Sequence, residues 1–178
     1  MYPLLTGLRI IECASFIAAP SCALHLQQLG AEVIRIDPIG GGPDFHRWPI
    51  SDRGHSYYWE GLQKGKQSIA IDFSSKRGRQ LIVDLITAPG ADAGILVTNF
   101  PRTGFLSHEA LSQRRADLIT VRVMGWSDGE SAVDYTVNAS LGLPYMTGSS
   151  SNDAEPVNHV LPAWDLLTGA YAAFVTLA

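Results

Sequence analysis

Residues 8–37 alternate between two patterns, and that alternation limits the folds open to the chain. Leu8–Ala14 (Leu-Arg-Ile-Ile-Glu-Cys-Ala) is a short, mostly apolar run that reads as a strand. A loop of small residues follows from Ser15 to Ser21, and a helix then carries Leu24, Leu26 and Leu29 to a stop at Gly30. Ala31–Asp37 is a second strand. Strand, helix and strand within ~30 residues make a βαβ unit, and such a crossover implies a parallel sheet.

The same alternation continues. Ile69–Asp72 is a short strand. Ser74 or Ser75 caps a helix bearing Leu81, Ile82, Leu85 and Ile86, which Pro89–Gly90 ends. Ala93–Thr98 is the next strand, with Asn99–Phe100–Pro101–Arg102 at its end. Ser107–Arg115 is a short polar helix, and Leu118–Val123 a further strand followed by Met124–Gly125–Trp126. Val133–Asn138 enters a helical stretch that runs to Gly148, and Ser149–Pro156 is a polar loop. The expected fold is α/β: an open parallel sheet flanked by helices, with no repeat and no domain boundary between residues 1 and 178.

Composition excludes several functions. A net charge of −4 argues against a nucleic-acid surface. Cys13 and Cys22 lack ligand or CxxC spacing, which points to reduced thiols in a cytoplasmic setting, with Cys13 buried and inert. No signal segment and no run of about 18 apolar residues argues for a membrane location. No His/Cys/carboxylate cluster has metal-ligand spacing, so no metal is expected.

Chemistry centres on Val157–Asp165, which leads into Leu166–Gly169. A bare carboxylate, Asp165, stands where an extended apolar run becomes a helix, since Pro162 biases Leu161 toward an extended backbone. An Asp there is either the helix N-cap or a carboxylate presented to attack an acyl group. Residues 166–178 are uncharged and mostly apolar, and a helix apolar nearly all round needs cover on several sides. The expectation is the N-terminal part of a longer protein, or a partner chain that supplies the cover.

Two other stretches invite a ligand. Gly40, Gly41 and Gly42 follow the second strand at its carboxyl end, where open α/β sheets bind ligands; the alternative is a flexible loop. His46–Pro49, Tyr57–Trp59 and Lys64–Ser68 combine aromatic and basic residues able to grip the phosphates and adenine of a nucleotide-like ligand, or to form an ordinary solvated turn.

Taken together, these motifs resemble the N-terminal half of the family III CoA-transferases, the formyl-CoA, carnitine and bile-acid type. The resemblance rests on Leu4–Ile11 with Ala19–Pro20, Leu29–Ile36, Lys64–Asp72, Thr98–Phe100 and the helix start Asp165–Gly169, in that order. It implies a Rossmann-like CoA-binding domain over residues 1–178, with a smaller second domain and a return segment elsewhere, and a homodimer of interlocked chains. It also implies no permanently bound cofactor; coenzyme A is part of an acyl-CoA thioester substrate. Asp165 would be the nucleophile, forming an acyl anhydride and then an aspartyl-CoA thioester. Lys66 matches a lysine near the nucleotide phosphates, Asn99 and Phe100 line the CoA path, and Arg102 is an added phosphate contact. Where many members carry an Arg after the second strand, this chain has Pro38, so the backbone of Gly40–Gly42 is expected to take part of that role.

Further motifs resemble the branch of the family that moves CoA between the two carboxyl groups of mesaconate, in the 3-hydroxypropionate cycle. These are Asp37–Gly42, Arg47–Pro49, Val133–Asn138 and Val157–Asp165. Intramolecular transfer needs a closed site and a basic group for the spectator carboxylate; Arg47 and His159 are the candidates, each with a surface or packing role as its alternative. The racemase type places a His before the residue matching Asp134, and Val133 stands there instead. Intermolecular transfer to a free acid is the competing activity, and a non-catalytic CoA-binding module the alternative outside enzymes.

Overall fold

A computed structural model describes residues 2–149, 151 and 155–178. Five parallel strands form one sheet in the order β3-β2-β1-β4-β5. They are β1 (Arg9–Cys13), β2 (Glu32–Pro38), β3 (Gln67–Ile71), β4 (Ile95–Thr98) and β5 (Ile119–Arg122). The helices are α1 (Ala18–Gln28), α2 (Tyr57–Leu62), α3 (Lys76–Ile86), α4 (His108–Ser112), α5 (Asp134–Ser140), α6 (Leu143–Met146) and α7 (Ala163–Leu177). The expected parallel sheet flanked by helices is therefore present, and the strand order reverses between β1 and β4. The polar loop expected over Ser149–Pro156 lies partly outside the described residues.

Alternation along the strands divides the core into two layers. Ile10, Val33, Ile95 and Val97 face α1 and α7, meeting Ala19, Cys22, Ala23, Leu26 and Ala173. Ile11, Cys13, Ile36 and Leu96 point the other way, onto Ile82 and Ile86 of α3, Leu106, Leu111 and Leu118. Ser75 caps α3 by accepting from the Gly78 amide at 2.9 Å, and Gly30, at φ +109°, ends the α1 turn as the sequence predicts. The loop expected over Ser15–Ser21 is shorter, because Ala18–Ser21 already belong to α1 and are buried there.

Glu12 and Arg35 also point to the α1 side, and there the core becomes ionic. Arg35, fully buried, donates to Glu12 Oε1 at 3.0 Å, to both Asp37 oxygens at 2.9 and 3.0 Å, and to Asp44 at 3.1 Å. Lys66 completes the chain with hydrogen bonds to Glu12 Oε2 at 2.6 Å, the Pro20 carbonyl at 2.8 Å and Gln63 Oε1 at 2.9 Å. Burial pushes the Glu12 carboxyl up despite both cations, and pushes the Lys66 ammonium down despite Glu12. The network ties the approach to β3 to β1, β2 and the segment after β2.

Helices α1 and α7 cross closely at Gly169. A Cβ there would overlap Ser21 Oγ and lie 2.7 Å from the Ala18 carbonyl oxygen. This crossing sets α7 beside the loop that follows β1.

Two stability outcomes follow from this packing. Arg35→Met leaves Glu12, Asp37 and Asp44 buried against Lys66 alone and is expected to cost about 3–5 kcal/mol in urea unfolding. Gly169→Ala gains ~1 kcal/mol of helix propensity, but overpacking against the α1 backbone outweighs it, with a net loss of about 1–2 kcal/mol.

Candidate active site

The start of α7 is built without a side chain of its own to cap it. Pro162 occupies the N-cap position and offers no side-chain acceptor. Asp134 Oδ2, from α5, takes that place, accepting from the Trp164 amide at 2.7 Å and the Asp165 amide at 3.2 Å. Asp165 therefore sits in the first turn, not at the cap, which corrects the helix-cap expectation: the helix begins two residues earlier, at Ala163. Its carboxylate receives no hydrogen bond from the described residues and is half-buried.

That carboxylate opens into a cleft of about 600 Å³. The floor comes from the carboxyl ends of β1, β4 and β5, through Ser15–Ala18, Asn99 and Val123–Gly125. This is the crevice at the point of strand-order reversal, where open α/β sheets hold ligands. Two polar side chains brace it. Asn99 accepts from the Ser15 amide at 3.1 Å and donates to the Ser15 carbonyl at 2.9 Å, locking the β1 and β4 ends together. Asp44 accepts from the Phe16 amide at 3.3 Å, which helps hold Phe16 at φ +68°, a left-handed conformation unusual for an aromatic residue.

Arg47 supplies the cation. Its guanidinium lies 4.8 Å from the Tyr58 ring centroid and 5.2 Å from that of Phe16, both in the cleft wall. Burial pushes the Asp165 carboxyl above its usual range, Asp134 raises it further, and Arg47 pulls it down. A desolvated carboxylate with a cation nearby and a void in front can attack an electrophile. Among the described residues, no group of three His, Cys, Asp or Glu is placed to hold a metal, and no helix is long and apolar enough to cross a membrane.

The sequence pattern of CoA-transferase family III matches residues 5–178. The chain belongs to that family. It is 54% identical to the 2-methylfumaryl-CoA isomerase of Chloroflexus aurantiacus over 100% of this chain and 44% of that protein. It is 27% identical to the succinate–glutarate CoA-transferase of Agrobacterium fabrum over 96% of this chain and 45% of that one. A crystal structure of a CaiB/BaiF family protein from Brucella suis superposes with a TM-score of 0.85 at 27% identity, covering 97% of this chain and 48% of that protein. The chain spans less than half the length of the relatives it matches.

Within this family III chain, Asp165, Arg47 and Asn99 line one cleft. The other anticipated residues do not. The Lys66 side chain is 1% exposed and its ammonium is occupied by Glu12, Pro20 and Gln63, so it clamps the fold where the sequence reading gives it a phosphate. Phe100 packs edge-on against Phe73, 5.8 Å between centroids, in the opposite core layer. Arg102 is exposed beyond β4. Gly41 closes a turn through its amide to the Pro38 carbonyl, with Phe45 packed where a Cβ would be, and Gly40 faces open space. His159 stands behind the cleft wall. Its Nε2 meets Asn138 Oδ1 at 3.0 Å, an oxygen that also accepts from Trp164 Nε1 at 3.3 Å.

Sequence reasoning missed three contributors: Asp134 as the cap, Asn138 as the hub behind Trp164, and Phe16 in the wall. Asp134 and Asn138 are four apart, the spacing that puts both on one helix face. Their partners, 20 to 31 residues away, have no local signature.

The raised Asp165 carboxyl has a measurable consequence. A carboxyl whose folded-state pKa exceeds its unfolded value stabilises below the unfolded pKa and loses that stability as pH rises through the folded pKa. Asp165→Asn removes the loss, so the melting temperature of the variant relative to wild type is expected to increase from pH 4 toward pH 7, followed by calorimetry.

Proposed function

We propose that this chain carries the nucleophile and part of the CoA site of an intramolecular CoA transferase. The enzyme would interconvert the two thioesters of mesaconate (2-methylfumarate). The observation that carries the reading is Asp165: a half-buried carboxylate without a hydrogen-bond donor among the described residues, lining the cleft at the switch point together with Arg47. Its support from relatives is the 54% identity to a 2-methylfumaryl-CoA isomerase along the whole chain.

In this mechanism the Asp165 carboxylate attacks the thioester carbonyl. The C–S bond breaks, leaving an aspartyl–acyl anhydride and CoA thiolate. The thiolate attacks the Asp165 carbonyl carbon, expelling mesaconate and forming an aspartyl-CoA thioester. The other carboxylate of the retained diacid attacks that thioester, and the released thiolate then takes the new acyl carbon, restoring Asp165. Every step is an acyl transfer between oxygen and sulfur, so no proton or electron carrier is required. Desolvation raises the reactivity of Asp165, and the cleft holds the reacting atoms close.

Arg47 suits the spectator carboxylate, because its guanidinium is fixed between two rings at the cleft wall. The CoA path would run past Asn99 and the exposed Arg102 at the β4 end, with room beside Gly40 for a phosphate. His159 and Lys66 would act through Asn138 and Glu12 respectively, without touching substrate. Exposed apolar residues on α7, among them Leu167, Tyr171 and Phe174, fit a homodimer whose second chain covers them.

One assay separates this from ordinary transfer. The protein as its gene encodes it is incubated with one regioisomer of mesaconyl-CoA, without free acid, and the isomers are followed by chromatography. Conversion is expected, and Asp165→Asn should lower it about 10³-fold or more. Conversion only after a carboxylic acid is added would identify an intermolecular CoA-transferase.

A further inference from the structure

We propose that Asp134 is a positioning residue that holds the start of α7, keeps its amides from Asp165 and sets its own carboxylate against that of Asp165 across the cleft. The proposal rests on the reading of Asp165 as nucleophile and assigns the residue that prepares it.

Three observations carry it. First, the helix start needs an acceptor. The amides of Trp164 and Asp165 occupy the second and third helical positions, which an N-cap side chain normally satisfies. Pro162 cannot do so, and Asp134 Oδ2 bonds both amides from 30 and 31 residues away. Second, those amides are thereby spent. A carboxylate in the first turn that accepts backbone N–H bonds is a stabilised, weakly basic anion; Asp165 accepts none from the described residues. Third, Asp134 is 5% exposed and its Oδ1 is buried without a hydrogen-bond partner among the described residues. Asp134 belongs to the lining of the same cleft as Asp165.

The consequence is electrostatic. Two carboxylates share one half-enclosed space, and their repulsion exists only while Asp165 is a free anion. Once Asp165 is acylated its charge is gone, so the arrangement disfavours the resting nucleophile relative to both covalent intermediates. The charges that act on Asp165 are Asp134 from α5 and Arg47 from the segment after β2, and Tyr58 from α2 lines the same cleft beside Arg47. Glu130 and Tyr135 line the same cleft, and His159 lies behind Trp164. Arg47 is the opposing cation.

Asp134→Asn isolates the charge, because an Asn oxygen still accepts both amides. Asp134→Ala removes the cap as well. The protein as its gene encodes it, labelled with [4-¹³C]aspartate, is titrated by NMR, with the Asp165 resonance assigned through Asp165→Asn. Asp134→Asn is expected to move the Asp165 midpoint to lower pH while leaving the melting temperature within about 2 °C of wild type, and to lower kcat for mesaconyl-CoA with KM little changed. Asp134→Ala is expected to melt about 2–4 °C lower. An unmoved Asp165 midpoint in Asp134→Asn overturns the proposal and leaves Asp134 a helix cap alone. The titration decides this even if wild type fails to isomerise mesaconyl-CoA, a failure that would count against the proposed function instead.

Discussion

The buried Arg35 guanidinium is the interaction on which the rest of this structure depends. It lies on the α1 side of the sheet and draws Glu12, Asp37 and Asp44 to one point. Charges taken out of water are tolerated only when fully paired, so the pairing dictates backbone position with little latitude. Through Asp44 that order reaches Phe16, and through Phe16 the cleft wall and Arg47. Through Glu12 it reaches Lys66 and the approach to β3. The cleft that Asp165 lines is thus framed by an ionic network beside it.

Beside that network the site is defined by what Asp165 lacks. The helix start beside it has donors, and Asp134 takes them. Burial then dominates the carboxyl's energetics, with the neighbouring carboxylate reinforcing it and Arg47 opposing it. A structural Asp would be hydrogen-bonded and comfortable. This one is held in a state that the unfolded chain would relieve, as suits the nucleophile proposed above.

Helix α7 serves both roles at once. Its inner stripe, Gly169, Ala173 and Thr176, packs closely onto α1, and Gly169 is required because the α1 backbone stands where a Cβ would go. Its outer face keeps Leu167, Tyr171 and Phe174 exposed, with Tyr171 and Phe174 stacked 6.3 Å apart. The chain spans under half the length of its relatives, and the exposed stripe gives an apolar surface for further contacts in the proposed assembly.

Much of the fold was legible along the chain because its signals are local. Alternating apolar runs marked all five strands, Gly30 and Ser75 marked helix ends, and the short βαβ unit required parallel pairing. Asp165 was legible as a bare carboxylate at a helix start, and Arg47 as a basic residue among aromatics. What only tertiary structure decided is where charge finds charge. Lys66 reads as a cation beside a glycine turn, yet it is buried on Glu12, 54 residues away. Asp134 enters the sequence reading only as part of the Val133–Asn138 motif, yet its carboxylate accepts from the amide of Asp165, 31 residues on. Periodicity reports which face of an element is buried, because burial is a property of each residue in turn. Hydrogen-bond and ion pairs are properties of two residues at once, and the partner is chosen only when the sheet brings distant segments into contact.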